Sequence, residues 1–489
     1  MPVAQGNCPS CGAEIRFGLG SSLSVICGYC NATVVRTDRG LSNLGKVADI
    51  ADTPSLIAVG DQGTLAGRPF EVLGRLQLDY GLGPWDEYYV AFDHGAAWGW
   101  LAYAQGRWHV TSAVPGVSLP PYGELRLEQD VSLGAAGVFR VAEINQASVR
   151  SAEGELPGAD PPGTVFYYAD CYGKNGQFAT FDYEDGRRAP TLYSGYVFAE
   201  NQLRVTALGP RSAHRVKTTH LQCPNCGGDV PKLSGDRAER LGCPYCGAVS
   251  DITERRVIAQ QERLLQMPDV PVGGRGRFED QEYLCLAYLR RSSEFDSERY
   301  GWEEYLLFAE SVGYRWLIKD PETGWSFASA VSPADLDLRL APGRVGLGTR
   351  SYRLRNENTV RVDYVLGEVY WKCAVGETVL SRDYISGNRG LSREQTRNEV
   401  NWSSWAPIEW ALVAAAFDLQ LDGPGSRWPG PTSGGGADFD EIAPGQAGKA
   451  IVLLIMLVVM IFLGSLQGGG VFVSAGSGLR GGGVYFGGK

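Results

Sequence analysis

"CPNCGGDVPKLSGDRAERLGCPYCGA", Cys223–Ala248, holds two Cys-x-x-Cys pairs with sixteen residues between them. A near copy opens the chain, where Cys8, Cys11, Cys27 and Cys30 form two pairs fifteen residues apart. Two residues between cysteines let a tight turn aim both sulfurs at one ion. The longer gap fits one short hairpin that brings the second pair back to the first. Zn²⁺ takes four such ligands in a tetrahedron with Zn–S near ~2.3 Å. Pro9, Pro224 and Pro244 follow a first cysteine and preset φ for a turn. Gly12, Gly227 and Gly247 follow a second cysteine, where φ > 0 is favoured, and Asn31 takes that place in the remaining knuckle. The reading is two zinc ribbons with ligands Cys8, Cys11, Cys27, Cys30 and Cys223, Cys226, Cys243, Cys246, each holding one structural zinc ion. A closed Cys₄ shell leaves no open position for water or substrate. His220, just before Cys223, is read as a linker residue.

Working outward, whatever follows each ribbon also repeats. Trp85, Glu87 and Tyr88 correspond to Trp302, Glu304 and Tyr305, and Trp100-Leu101 corresponds to Trp316-Leu317. A third tryptophan follows in each copy, Trp108 and Trp325. Runs such as "EYYVAF" and "EYLLFA" have strand length and turn residues at their ends. "GTVFYYADCYGKNGQFATFDY" and "NTVRVDYVLGEVYWKCAV" read as further hairpins. Helix signals are few: a capping-box spacing from Ser392 to Gln395, and "APIEWALVAAAFDL" with Pro407 in its first turn. The fold class is therefore mainly β, with two tandem β-barrel or β-sandwich modules, each preceded by a Cys₄ ribbon, plus one C-terminal transmembrane helix. The expected domains are ribbon 1 at 1–40, module 1 at 55–205, ribbon 2 at 218–255 and module 2 at 265–421. A Gly/Pro linker at 422–448, a membrane helix at 449–467 and a Gly-rich tail at 468–489 complete the chain.

The span rests on "AIVLLIMLVVMIFLG", Ala450–Gly464, which has no polar side chain and follows a linker with eight Gly and four Pro. A helix apolar all round has no face for water, and residues 450–466 are expected to enter the lipid bilayer, a little short of its ~30 Å core. Eight of the 11 cysteines fall in the ligand pairs. Thiolates persist in a reducing compartment. The expected location is thus the cell membrane, single-pass, with the N-terminal bulk in the cytoplasm. "MPVAQGNCPSCG" has neither the basic nor the apolar region of a signal peptide.

Composition bounds the rest. With 489 residues the chain is long enough for about three to five domains. Its formal net charge of −10 argues against broad binding to nucleic acid or anionic lipid. Trp85 and Glu87 share one face of a strand and Tyr88 the other. Trp85, Glu87, Tyr88, Trp302, Glu304 and Tyr305 are candidate ligand or partner contacts, with a strand-edge glutamate as the plain alternative.

The leading Cys-Pro-x-Cys-Gly knuckle, the Gly-rich β module with Trp-x-Glu-Tyr and the nearby Trp-Leu together resemble bacterial proteins carrying domain of unknown function 4178. The resemblance covers most of residues 1–400, in two copies. It implies no established activity, and suggests an envelope-associated adaptor in stress or membrane homeostasis. The functional reading is a membrane-anchored adaptor or scaffold with protein partners. Two others stay open. One is nucleic-acid binding through ribbon 2, where residues 211–260 carry eight Lys/Arg against five Asp/Glu. The other is an enzyme using Glu87 or Glu304 as acid or base. No nucleophile elbow, His-Glu-x-x-His or phosphate-cradling loop is present, and the non-enzyme reading is preferred.

Overall fold

A computed structural model describes residues 4–419, apart from 18–23, 28, 31, 38–39, 47–55, 81–83, 105, 159–161, 185–189, 209–219, 235–237, 253, 263, 265–266, 279 and 296–297. The linker, the apolar stretch 449–467 and the tail lie outside these residues, as does Asn31. Among the described residues no helix is long and apolar enough to cross a membrane.

Ribbon 1 comprises β1 (Ala4–Asn7), β2 (Glu14–Phe17), β3 (Ser24–Ile26), β4 (Ala32–Thr37) and β5 (Gly40–Lys46). Module 1 comprises β6 (Gln62–Leu65), β7 (Arg68–Asp79), β8 (Pro84–Phe92), β9 (Ala97–Ala104), β10 (Arg107–Val114), β11 (Asp130–Ser132), β12 (Val138–Leu156), β13 (Val165–Tyr172), β14 (Gln177–Asp182), β15 (Thr191–Ala199) and β16 (Leu203–Ala207). Ribbon 2 follows with β17 (His220–Gln222), β18 (Asp229–Pro231), β19 (Arg240–Gly242), β20 (Ala248–Asp251) and β21 (Arg256–Gln260). Module 2 holds β22 (Arg275–Phe278), β23 (Gln281–Phe295), β24 (Glu298–Ala309), β25 (Gly313–Asp320), β26 (Gly324–Val331), β27 (Leu336–Asp337), β28 (Arg344–Leu347), β29 (Arg350–Val369), β30 (Thr378–Ser386), β31 (Arg389–Gln395), β32 (Val400–Pro407) and the short α1 (Trp410–Ala416).

Each module closes into an antiparallel barrel. In module 1 the order is β7-β8-β9-β10-β15-β14-β13-β12, and β12 returns to pair with β7. Module 2 repeats this with β23-β24-β25-β26-β32-β31-β30-β29, closed by β29 on β23. Two four-stranded meanders thus curl against each other. Closure removes the sheet edges that an open meander would expose. A buried cluster of Leu76, Leu78, Tyr89, Trp100, Phe166, Tyr168 and Tyr193 comes from strands on opposite sides, so it fills the interior of barrel 1. The outer walls are buried too: Val72, Tyr88, Val90, Leu101 and Trp108 lie under one meander's cover, Phe139, Cys171 and Phe181 under the other's.

The ribbons are not separate beads. β12 and β29 are long enough to leave the barrel and pair with a ribbon. Glu155 and Leu156 pair with Val25 and Ser24, while Glu368 and Val369 pair with Leu241 and Arg240. A glycine at positive φ makes each exit: Gly154 (φ 73) and Gly367 (φ 84). An added Cβ would lie 2.3 Å from the carbonyl oxygen of Leu73 or Leu286, respectively. Glu368 further ties ribbon 2 down by accepting hydrogen bonds from the amides of Leu233 (2.7 Å) and Ser234 (2.8 Å).

Four expectations are corrected. Ser392–Gln395 is no helix start but part of β31, where the Ser392 hydroxyl donates to Asp383 at 2.6 Å instead of capping a helix. "NTVRVDYVLGEVYWKCAV" is no hairpin: residues up to Val369 belong to the single strand β29. Pro407 ends β32, and the helix begins only at Trp410. His220 is paired with Pro231 in a ribbon hairpin, not in a linker.

The two barrels touch through a polar seam. Arg393 grips Glu128 with contacts of 2.6–3.1 Å, and the indole of Trp402 donates to the same carboxylate at 2.8 Å. Arg140 pairs with Asp130 at 2.7 Å and donates to the carbonyls of Pro333 and Leu336. Ile144 donates its amide to Asn398 across an isolated bridge between Glu143 and Glu399.

Candidate functional site

The eight cysteines converge as two clusters, in each of which the four sulfurs lie within 4.8 Å of one another. In ribbon 1 the Cys8–Cys30 and Cys11–Cys27 sulfurs are 3.8 and 3.6 Å apart. In ribbon 2 the Cys223–Cys246 and Cys226–Cys243 separations are 3.7 and 3.9 Å. A regular tetrahedron of ~2.3 Å Zn–S bonds has edges of about 3.8 Å, so the donor sets fit a tetrahedral thiophilic ion such as zinc. Local backbone builds the same cradle each time. The Gly12 and Gly227 amides donate to the carbonyls of Cys8 and Cys223 at 2.9 and 2.8 Å, and both glycines take positive φ. Amides of Ser10 and Tyr245 donate to the Cys8 and Cys243 sulfurs at 3.4 Å, contacts that orient both sulfurs toward their cluster. Cys27 follows directly on β3 and Cys243 directly on β19, so one ligand of each cluster continues a strand paired to a barrel wall.

The knuckles differ at their aromatic residue. Tyr29 and Tyr245 stand at the same place, just before the last ligand. Tyr245 folds over Gly228 and donates to the Asp229 carbonyl, leaving it 51% exposed. A Cβ on Gly228 would meet the tyrosine ring at 2.6 Å. Ribbon 1 carries Ala13 where ribbon 2 has Gly228, and Tyr29 is 87% exposed.

Both motif glutamates lie inside the barrels. Glu87 is fully buried, with the Trp85 indole donating to it at 3.5 Å. Glu304 accepts from the Trp302 indole at 2.8 Å and pairs with Arg291 at 3.1 Å. Tyr88 and Tyr305 face the opposite way, into the outer cores. Trp-x-Glu therefore places an indole N–H and its acceptor on one inward face, and the following tyrosine on the outer wall. In barrel 1, burial and then the Asp182 and Glu87 carboxylates push the Tyr193 phenol up, so these three groups face one another. Burial, with Arg107 nearby, lowers the His109 imidazole to about 3, so it stays neutral.

Sequence reasoning missed Arg291. It also missed the seam acids: burial, then Glu399 and Asp170, raise the Glu143 carboxyl well above its usual range. An arginine in an alternating strand carries no signal of direction until the sheet closes. Within ribbon 2, Arg240 is buried against Asp251 and Arg256 pairs with Glu254, so two of its basic residues are already engaged.

The family model for a domain of unknown function (DUF4178) matches residues 58–199 and 271–408. Each match covers one barrel and follows one four-cysteine cluster. No curated protein and no solved structure matches the chain.

Proposed function

We propose, from the premise that the chain belongs to the DUF4178 family and carries its domain twice, that it is a membrane-anchored zinc-ribbon adaptor whose ribbon tips contact protein partners. The observation that carries this reading is the pair of knuckle tyrosines, Tyr29 and Tyr245, held outward beside a four-sulfur cluster. Aromatic side chains offer large contact area at low entropic cost and are enriched in binding surfaces. Each tip is seated on a barrel by strand pairing, so it is presented in a fixed pose. Residues 450–466 supply the anchor in this reading, and the thiolates call for the cytoplasmic side.

The zinc ions are structural in this proposal. The cysteines hold them, and their charge stabilises the thiolate cluster. The adaptor reading is tested by cross-linking from solubilised membranes with full-length chain and with Tyr29→Ala and Tyr245→Ala. A defined protein partner that weakens in Tyr29→Ala more than in Tyr245→Ala is expected. Recovery of full-length chain in the detergent-free soluble fraction, or as a partner-free monomer, overturns it.

A further inference from the structure

The two barrels share a wall plan, and strand register equates their inward residues. Leu78 opposes Trp85 in barrel 1, and Arg291 opposes Trp302 in barrel 2. Thr180 opposes Tyr193, and Ser392 opposes Ser403. Asp182 opposes Tyr168, and Glu394 opposes Ser381. Tyr89 opposes Trp100, and Leu306 opposes Trp316. Barrel 2 thus replaces three interior tyrosines with Ser403, Ser381 and Leu306, and one leucine with an arginine.

That arginine is 5% exposed at its side chain and is incompletely used. Its Nη1 donates to Glu304 at 3.1 Å and to Glu394 at 2.7 Å. Its Nε and Nη2 find no hydrogen-bond partner among the described residues. Those two atoms form the side-on edge of a guanidinium, the edge that receives a planar oxygen pair in two parallel bonds. A buried donor pair left without an acceptor is costly, so an acceptor is expected there. The carboxylates of Glu304 and Glu394 beside it, with buried Asp383 also in its field, disfavour a simple anion. They suit a ligand that brings N–H donors or an ammonium next to its oxygens. Glu394 is 17% exposed at its side chain, so solvent reaches this side of the ion pair. Trp302, with Arg291 Cζ 5.9 Å from its ring centroid, supplies an aromatic wall.

We propose that barrel 2 is a binding chamber for a small zwitterion of the α-amino-acid class. Its carboxylate would lie on the Nε–Nη2 edge of Arg291, with its ammonium towards Glu304 and Glu394. Barrel 1 carries Leu78, Tyr168 and Tyr193 in the same places, all buried in one cluster. This inference is independent of the adaptor reading.

The test titrates the full-length protein with the standard α-amino acids one at a time, following tryptophan fluorescence and calorimetric heat. Acetate and methylammonium serve as half-ligands. At least one amino acid is expected to saturate below about 1 mM, and both half-ligands to bind about tenfold or more weakly. Arg291→Leu installs the residue barrel 1 carries beside Glu87 and Asp182 but leaves Glu304 and Glu394 without their cation, so its fold is checked by denaturant unfolding alongside binding. Ser403→Tyr refills the chamber and leaves Arg291 in place. Each variant is expected to lose binding about tenfold or more. Saturation by none of the amino acids at about 10 mM, or wild-type affinity in either variant, overturns the proposal.

Discussion

Barrel 1 and barrel 2 have one topology and two interiors. The most telling pair lies on neighbouring strands. In barrel 1 Phe178 stands opposite Gly195, whereas in barrel 2 Gly390 stands opposite Trp405. The large ring has changed strands while the glycine has taken the other seat. A Cβ on Gly390 would lie 2.0 Å from the Trp405 ring, and one on Gly195 would lie 1.8 Å from the Val110 carbonyl. Core volume is conserved by exchange at this layer. At the Arg291 end it is not, because tyrosines give way to serines. A duplicated fold can keep its wall register while its interiors diverge, since pairing is set by the backbone and by both buried faces.

The termini diverge likewise. After its last barrel strand, module 1 adds β16 to the edge of β6, where Gly63 lies under the Arg204 carbonyl. Module 2 instead folds α1 back, placing Phe417 over the matching Gly276. Trp410 of α1 stacks on Trp325 with ring centroids 5.1 Å apart, and Trp325 stacks in turn on Tyr305.

The largest effect should fall equally on both halves. Treatment with a chelator, or replacing Cys27 or Cys243 with serine, would remove the proposed metal site, and such binding is coupled to folding by about 10 kcal/mol or more in zinc-finger peptides. Hydrogen exchange should accelerate at Glu155–Leu156 or Glu368–Val369, respectively, before the rest of the wall. Protection unchanged at these residues would show that ribbon and barrel are independent.

Next comes the seam. Arg393→Ala leaves Glu128 partly buried without its guanidinium and should cost about 3–5 kcal/mol, read by denaturant unfolding. A loss below about 1 kcal/mol would make this contact no stronger than a surface ion pair.

The interiors should then answer differently. Tyr193→Ser opens a cavity in packed barrel 1 and is expected to cost about 3 kcal/mol. Ser403→Tyr in barrel 2 is expected to stay within about 1.5 kcal/mol. Equal costs would erase the distinction between a packed and a roomy barrel.

The smallest expected effect is on pH dependence. Glu143 titrates normally near 4.5 when unfolded and higher in the fold, chiefly through burial and then Glu399 and Asp170. The folded state therefore holds the extra proton, and stability falls as pH rises from about 4.5 through the raised folded value. Glu143→Gln should flatten that decline and stabilise the protein at neutral pH. A steeper decline in the variant would reverse the assignment.

Much of this was legible in the chain. Cysteine spacing, knuckle glycines and the repeated Trp-x-Glu-Tyr gave the four modules and the shared face of Trp85 and Glu87. Closure was not, because β12 on β7 and β29 on β23 are non-local pairings that no short window contains. With both wall faces buried, apolar alternation says nothing about which face is inside. The spacing from Ser392 to Gln395 misled because a capping box depends only on local residue types, whereas Asp383 on the next strand claims that hydroxyl.

β29 runs from Arg350 to Val369 as one strand, with register shifts at Leu354/Asn356 and at Val362/Tyr364, and ends hydrogen-bonded to the strand that delivers Cys243. Side chains along a strand alternate, so a slip of one step would turn every inward group outward. An ion bound by the four cysteines would hold a reference point at the far end. Filled, the four-cysteine cluster would fix the phase of the wall that carries Val360 and Val362 on the same strand, like the fixed end of a ruler. An indole or a carboxylate many ångströms away would keep its facing because such a clamp resists a shift in the count.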